Sequence, residues 1–348
     1  MKNAKVAILC LSHYEGGMEL DSIKHTDLFL RHGIDAILIC RKGTFLEKKA
    51  NKDKIPNIAI DFKAKLSLKL ILQLRTAIQE HGITTLVFFG ASEIKSICFA
   101  VKRTSCKVIV RHGTTKSTPK KDFLHKFFYQ CVENYVAISD HLRRNALEIL
   151  PSTETQVNTI YNSVQKTTMP KDSPNSPTFV FVGRVEKGKG IYDAVEALNY
   201  ASIPCEHKKL TIVGSVDQAT QDTLEKIASS GQVKLIFTGF VNDPESYLRE
   251  NAFFLFPSYG EGLGNVVIEA LTNGLTCITY DNTVFPEFIQ LGFKPFYLAK
   301  DRNTDDLSDN IESAYNNFQK DQNNPHTMLV KKYFNEEACV SNWVKILK

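Results

Sequence analysis

No apolar run in this 348-residue chain approaches the length needed to cross a bilayer. Met1-Lys2-Asn3-Ala4-Lys5 leads straight into a strand-like run, without the apolar core and small-residue cleavage site of a signal peptide, so a cytosolic location is expected. Cysteine pairing is also missing. The eight cysteines include no Cys-x-x-Cys, and several sit inside apolar runs, which points to free, buried thiols in a reducing compartment. The nine histidines lack zinc-ligand spacing, so no metal site is expected. There is no short-period repeat and no low-complexity tract. No recognised nucleic-acid motif accompanies the charge, which argues against a nucleic-acid partner.

What charge there is lies unevenly. Net charge is +5 overall, but residues 1–164 hold 25 Lys+Arg against 15 Asp+Glu, while residues 165–348 hold 18 against 23. The basic residues gather at 41–75 and 95–126, including Lys48-Lys49, Lys63, Lys65, Lys69, Lys120-Lys121 and Lys126. Such a surface is either simply solvated or attracts an anionic membrane or an anionic acceptor.

The 43% hydrophobic content suffices for buried cores, and the length favours two domains. Near-continuous Val/Ile/Leu/Phe strands alternate with amphipathic helices. Strands are expected at Lys5–Ser12, Asp35–Cys40, Thr85–Phe89, Lys107–Arg111 and Tyr135–Ser139, then at Thr178–Val182, Lys209–Val213, Val233–Thr238, Phe253–Phe256 and Thr276–Tyr280. Helices are expected at Glu19–His32 and Ser67–His81 among others. This alternation predicts parallel sheets covered on both faces, an α/β architecture of two doubly wound, Rossmann-like domains facing across a cleft. Pro170 to Pro177, with three prolines, reads as the linker.

Two loops carry the chemistry. In Gly260-Glu261-Gly262-Leu263-Gly264-Asn265-Val266-Val267-Ile268-Glu269-Ala270, a glycine-rich turn follows an apolar strand and opens into an apolar helix. A helix N-terminus offers backbone N–H groups and the positive end of a dipole, which suits a phosphate. Glu261 in that turn would repel a phosphate unless it serves another part of the ligand. Carboxylates accept hydrogen bonds from sugar hydroxyls, so the ligand reads as part phosphate and part carbohydrate. The second loop, Gly183-Arg184-Val185-Glu186-Lys187-Gly188-Lys189-Gly190, follows the strand ending at Val182. Arg184 can bind phosphate oxygens through its planar fork and Lys189 as a point charge. An ordinary basic loop is the alternative. Two anion sites on one sheet edge suggest a diphosphate. A nicotinamide site needs Gly-x-Gly-x-x-Gly after a domain's first strand, which Gly260-x-Gly-x-Gly264 does not match.

The order Gly-Arg-x₄-Lys-Gly, then Glu-Gly-x-Gly-x₄-Glu-Ala, resembles the retaining glycosyltransferases of family 4, strongly over about 178–290 and more weakly outside. The resemblance implies a GT-B fold, with an acceptor-binding domain at 1–165 completed by a C-terminal helix at about 336–348, and a donor-binding domain at 166–335. It implies that Arg184 and Lys189 bind the diphosphate of a nucleotide diphosphate sugar, UDP-linked by expectation. Glu269 would bind the ribose and Glu261 the sugar hydroxyls. Gly183 and the backbone of Leu263, Gly264, Asn265 and Val266 would line the phosphate and sugar sites. Gly16 and Gly17 match the family's Gly-Gly loop between first strand and first helix. His112, in Arg111-His112-Gly113, matches a histidine contacting the donor sugar, and Asn162 matches a position near the interdomain crossing, with Ser163 in place of the usual glycine. Leu263 stands where phenylalanine is common, and 281–287 keeps Pro286 and Glu287 without the usual glycines before them. Trp343 reads as a packing anchor.

The implied reaction is metal-independent transfer of a hexosyl group to a hydroxyl on a glycan or glycolipid, with retention and no cofactor beyond the donor. A cytoplasmic protein working peripherally at the inner face of a bacterial membrane, on a lipopolysaccharide core or another surface glycan, would fit. A sugar-nucleotide 2-epimerase on the same fold and a non-catalytic sugar-nucleotide binder stand as alternatives.

Overall fold

A computed structural model describes residues 5–90, 92–164, 176–241, 243–318 and 326–348; most of the expected linker, 170–175, lies outside them. The chain divides into two units, Met1–Tyr161 with Glu336–Lys348, and Asn162–Asn335.

The first unit is built on seven strands among the described residues: β1 (Lys5–Cys10), β2 (Ala36–Arg41), β3 (Asn57–Ile60), β4 (Ile83–Phe89), β5 (Lys107–His112), β6 (Val132–Ala137) and β7 (Val157–Thr159). Their order is β3-β2-β1-β4-β5-β6-β7, and every pairing is parallel. Alternate side chains of β1 enter opposite cores. Val6, Ile8 and Cys10 join one cluster and Ala7, Leu9 and Leu11 the other. A strand buried on both faces has no polar alternation, which is why these strands read as continuous apolar runs.

Helices cover both faces. Leu68–Glu80 and Ile94–Val101 pack one core, and Gly17–Arg31 with Glu336–Leu347 the other. The first helix begins two residues earlier than expected. Gly16 is its N-cap and Gly17 its first residue, so the Gly-Gly pair is the helix N-terminus rather than a free loop. The last helix brings Trp343, 1% exposed, edge-on to Phe29 at 5.6 Å and to His25 at 6.1 Å. Arg31 anchors that helix from outside through two bonds to Glu336, at 2.6 and 2.9 Å.

The second unit has β8 (Phe179–Val182), β9 (Lys209–Val213), β10 (Lys234–Gly239), β11 (Phe253–Leu255), β12 (Thr276–Asp281) and β13 (Phe296–Lys300), ordered β10-β9-β8-β11-β12-β13 and again parallel. In both sheets strand order reverses once, between β1 and β4 and between β8 and β11. The loops leaving the carboxyl ends of such strands diverge and open a crevice.

Replacing Trp343 with alanine should cost the first unit about 3–5 kcal/mol, the range for a large buried aromatic. Urea unfolding followed by tryptophan-independent circular dichroism measures it. A loss within about 0.5 kcal/mol, the range of surface substitutions, would show that the C-terminal helix is not part of the core.

Candidate active site

The reversal between β8 and β11 brings the two chemistry-bearing loops together. After β8 the chain passes Gly183, makes a 3-10 turn at Lys187–Lys189 and enters the helix Ile191–Tyr200. After β11 it runs through Pro257 and the glycine-rich turn into the helix Asn265–Thr272. Gly190 makes the junction possible. It has φ +72°, and a Cβ there would lie 1.8 Å from the Pro257 carbonyl oxygen. Tyr259 N donates to Gly188 O at 3.1 Å, fastening one loop to the other.

Lys189 and Glu261 meet at this junction. The ammonium donates to Glu261 Oε1 at 2.6 Å, and Ser258 Oγ donates to the same oxygen at 2.9 Å. The two side chains are 20% and 16% exposed, so the pair is largely withdrawn from solvent. Below it, the Glu261 amide donates to Thr283 Oγ1 at 3.1 Å, and Thr283 donates to Asn282 Oδ1 at 3.0 Å. Thr283 holds φ +45°, the region that favours glycine. The backbone therefore turns left-handed at a β-branched residue, whose hydroxyl holds the Glu261 backbone. Asp193, in the first turn of Ile191–Tyr200, accepts from Tyr259 at 3.0 Å and Tyr280 at 2.6 Å.

The remaining residues of this group are distributed differently. Arg184 lies at the same sheet end but is 76% exposed and paired with Glu186 at 3.2 Å. Gly264, φ +73°, is the N-cap of Asn265–Thr272. Leu263 is buried, Asn265 exposed and Val266 half-buried, while Glu269 lies half-buried one turn into the helix. The first N–H groups of a helix have no intrahelical acceptor, so this end can receive an anion. Asn162 is buried at the start of the second unit.

In the first unit, Gly16 and Gly17 follow β1 at that sheet's reversal, with the buried Glu19 in the first helical turn. His112 ends β5. Its Nε2 lies 3.0 Å from Asn145 Oδ1. Two backbone groups settle the orientation of that amide: Lys116 N donates to Oδ1 at 3.0 Å, and Asn145 Nδ2 donates to Lys116 O at 2.8 Å. An oxygen facing Nε2 requires the proton on Nε2, so the neutral ring keeps a lone pair on Nδ1. Burial, opposed by the Asn145 bond and reinforced by Lys116, His141 and Lys120, lowers the His112 pKa to about 4, so the ring is neutral at physiological pH. It can accept a hydrogen bond from a hydroxyl at Nδ1 but cannot donate one there to a phosphate.

Its neighbour Arg111 is buried and pairs with Asp21 at 2.8 Å, over the Phe89 ring at 4.5 Å. Burial pushes the Asp21 carboxyl up, but the charge and hydrogen bond of Arg111, together with the charges of His25 and Lys24, outweigh it and hold the group below its ordinary range. Among the described residues no three His, Cys, Asp or Glu side chains gather as a metal site. Asp193, Ser258, Thr283, Asn145 and Asp21 carry no sequence motif; only an acidic residue in a helix's first turn could have drawn attention to Asp193.

Residues 165–326 match the family described as glycosyl transferases group 1. The second unit is thus similar to the group 1 enzymes. Relatives agree. The chain is 27% identical over 121 residues to the capsular polysaccharide biosynthesis glycosyltransferase CapM of Staphylococcus aureus, covering 34% of this chain and 32% of CapM. It is 34% identical over 122 residues to the serotype-specific mannosyltransferase WbdA of Escherichia coli, covering 33% and 15%. The chain thus matches about a third or less of the length of these two relatives. Solved structures align along the whole chain. A Rickettsia africae glycosyltransferase gives a TM-score of 0.85 at 16% identity, covering 100% of this chain and 98% of that one. Anabaena HepE in complex with UDP gives 0.82 at 15%, covering 99% of each. The family match covers just under half of the chain, and the solved neighbours share the two-domain, GT-B-like fold.

Two outcomes are expected. Lys189→Ala and Glu261→Gln should show a coupling of about 0.5–3 kcal/mol in a double-mutant cycle of unfolding free energy; additive losses would show that the pair contributes nothing jointly. Asn145→Asp, by presenting a carboxylate to Nε2, should raise the His112 titration midpoint by about one unit or more. Long-range proton–nitrogen NMR of the imidazole reads both tautomer and midpoint, and an unchanged midpoint would refute the assignment of Asn145 as its partner.

Proposed function

We propose that the protein is a retaining, metal-independent glycosyltransferase that moves a hexosyl group from a UDP-linked sugar to a hydroxyl of a glycan or glycolipid. The observation that carries this reading is the contact of Lys189 with Glu261 at the reversal of the second sheet. A cation and a carboxylate side by side suit a ligand that is phosphate at one end and carbohydrate at the other. The diphosphate takes the charge of Lys189 and Arg184, while Glu261, released from the ammonium, accepts from the sugar's hydroxyls. Glu269 accepts from the ribose. Gly183 and the backbone of Leu263, Gly264, Asn265 and Val266 line the phosphate and sugar. Gly16 and Gly17 face the diphosphate and acceptor, His112 accepts from a sugar hydroxyl, and Asn162 borders the donor.

In the reaction the bond from the anomeric carbon to the phosphate oxygen breaks as the acceptor oxygen attacks the same face. The acceptor's proton passes to the departing phosphate. Arg184, Lys189 and the helix N-terminus stabilise the charge that builds on the leaving diphosphate, the electrostatic role that dominates in such sites. The HepE complexes with UDP, UDP-glucose, and UDP with glucose support the choice of uridine donor. CapM, WbdA and the lipopolysaccharide outer core galactosyltransferase WaaB support an acceptor in a surface polysaccharide, with a lipopolysaccharide core as one such acceptor.

Thermal shift with UDP and GDP tests the donor, since a ligand that binds only the native state raises its stability; UDP should raise the midpoint more. Incubation with UDP-sugars and chelator should release UDP on acceptor addition, with retention seen by anomeric NMR. Arg184→Ala/Lys189→Ala should lower kcat/KM by about 10²-fold or more while leaving the circular dichroism unchanged. An epimerised sugar nucleotide, or a double variant as active as the parent, would sink the proposal.

A further inference from the structure

We infer that Cys98 and Cys131 form a peroxide-reactive dithiol, with Cys98 as the attacking thiolate and Cys131 as the resolving thiol of a reversible disulfide. The two residues are 33 positions apart and share no sequence motif. The fold of the first unit brings their sulfurs together, and the Cys131 thiol donates to Cys98 Sγ. Cys98 lies on the helix Ile94–Val101, and Cys131 is the last residue before β6.

Both sides of that contact are held in place. Arg75 donates to the carbonyl oxygens of Phe99, Ala100 and Lys102 at 2.9, 3.2 and 3.1 Å, which ties down the end of the helix that carries Cys98. On the other side Phe99 meets Phe128 edge-on at 6.0 Å, and Lys95 lies over the Phe128 ring at 5.2 Å. Cys131 Sγ in turn lies 3.6 Å from Phe128 O. A thiol has one proton, so Phe128 O and Cys98 compete for it. Hydrogen bonds to an ionised acceptor are the stronger ones, so ionisation of Cys98 turns the Cys131 proton toward it.

The surroundings of Cys98 favour that ionised form. Its sulfur also accepts from the Gln130 side chain and the Cys131 amide, and the charge of Lys102 stands one helical turn away. With the Cys131 thiol as the largest influence, these groups outweigh burial and bring the Cys98 pKa down to about 7. About half of it is then thiolate at neutral pH, against about 3% for an ordinary thiol. The same contact, with burial, keeps Cys131 protonated. Cys98 is 6% exposed, but the Gln130 that touches it is exposed and Cys131 is half-buried, so a small oxidant reaches the pair from that side. Cys10 and Cys40 make the contrast. They are register partners on β1 and β2, yet both are fully buried, and burial pushes their thiols up to about 11 and about 12.

In the first step the Cys98 thiolate attacks one oxygen of hydrogen peroxide. The O–O bond breaks, the sulfur is oxidised to a sulfenic acid, and the departing hydroxide takes a proton from solvent. The Cys131 sulfur then attacks the Cys98 sulfur, the S–O bond breaks, and the second hydroxide leaves as water with the Cys131 proton. Two thiols and one peroxide thus become one disulfide and two waters, and a dithiol reductant reverses the change by exchange. The register sets Val132 beside Val108 and Ala137 beside His112, so the dithiol lies at the sheet end away from His112. Neither thiol belongs to the machinery of the proposed function.

The test is oxidation of the reduced, full-length protein by hydrogen peroxide, followed by alkylation, non-reducing proteolysis and mass mapping. One cross-linked peptide pair carrying Cys98 and Cys131 should appear, and dithiothreitol should remove it. The rate should rise with pH around a midpoint of about 7, and Lys102→Gln should move that midpoint up. In Cys131→Ser the reaction should stop at a sulfenic acid on Cys98 that dimedone traps. Cys205→Ser, at an exposed cysteine of the second unit, should leave the cross-link unchanged. Mapping of the parent needs no variant, so a substitution that fails to fold leaves the test intact. Four results would each overturn the inference: no cross-link, a Cys10–Cys40 cross-link in its place, oxidation confined to Cys205, or the rate midpoint of an ordinary thiol, about 8.5.

Discussion

The Pro257 carbonyl oxygen occupies the space that a side chain on residue 190 would need, and the second unit's chemistry depends on that close approach. With glycine there, the loop after β8 lies against the turn after β11, and Gly188 can accept from the Tyr259 amide. Lys189 is then carried to within 2.6 Å of Glu261 by backbone geometry, with little left for its flexible stem to decide. A similar approach recurs one strand over. A Cβ on Gly214 would lie 1.9 Å from Gly183 O, so the ends of β8 and β9 also close on a glycine. Glycines in these loops act as spacers between backbones, and the cation and carboxylate are where they are because of them.

The two sheets treat charge at their strand ends in opposite ways. In the first unit Arg111 is buried against Asp21 and Phe89, and His112 is held neutral by burial, with its proton fixed on Nε2 by Asn145. Those groups are neutralised internally before any ligand arrives. In the second unit Arg184 is open to solvent, and Lys189 is paired with a carboxylate that a diphosphate could displace. One strand end is thus arranged for hydrogen bonding to uncharged groups, the other for exchange of ionic partners.

Much of this was legible in the chain. Interior strands, buried on both faces, announce themselves as apolar runs, and all nine among the described residues were legible, as was the edge strand β10. The three that were not, β3, β7 and β13, are all edge strands. An edge strand has one neighbour and a partly solvated surface, and sequences such as Asn57–Ile60 and Val157–Thr159 carry too little apolar pattern to separate them from loop. At the site, Arg184, Lys189, Glu261 and Glu269 were found through spacing. Their supports were not, because Thr283 reaches Glu261 from 22 residues away and Asn145 reaches His112 from 33. Those partnerships exist only once the strands have been ordered. The helix at Gly17 was misplaced for a simpler reason: paired glycines read as a turn, and here they form its first turn and cap.

Trp343 and its helix give the molecule an order of assembly. The second unit is one unbroken stretch, 162–335, whereas the first borrows residues 336–348 to finish its core. Domains fold as units while the chain is being made. During synthesis the second unit has all its residues before the first does. Phe29 and His25 must wait for the indole to emerge from the ribosome, so the half made first is completed last.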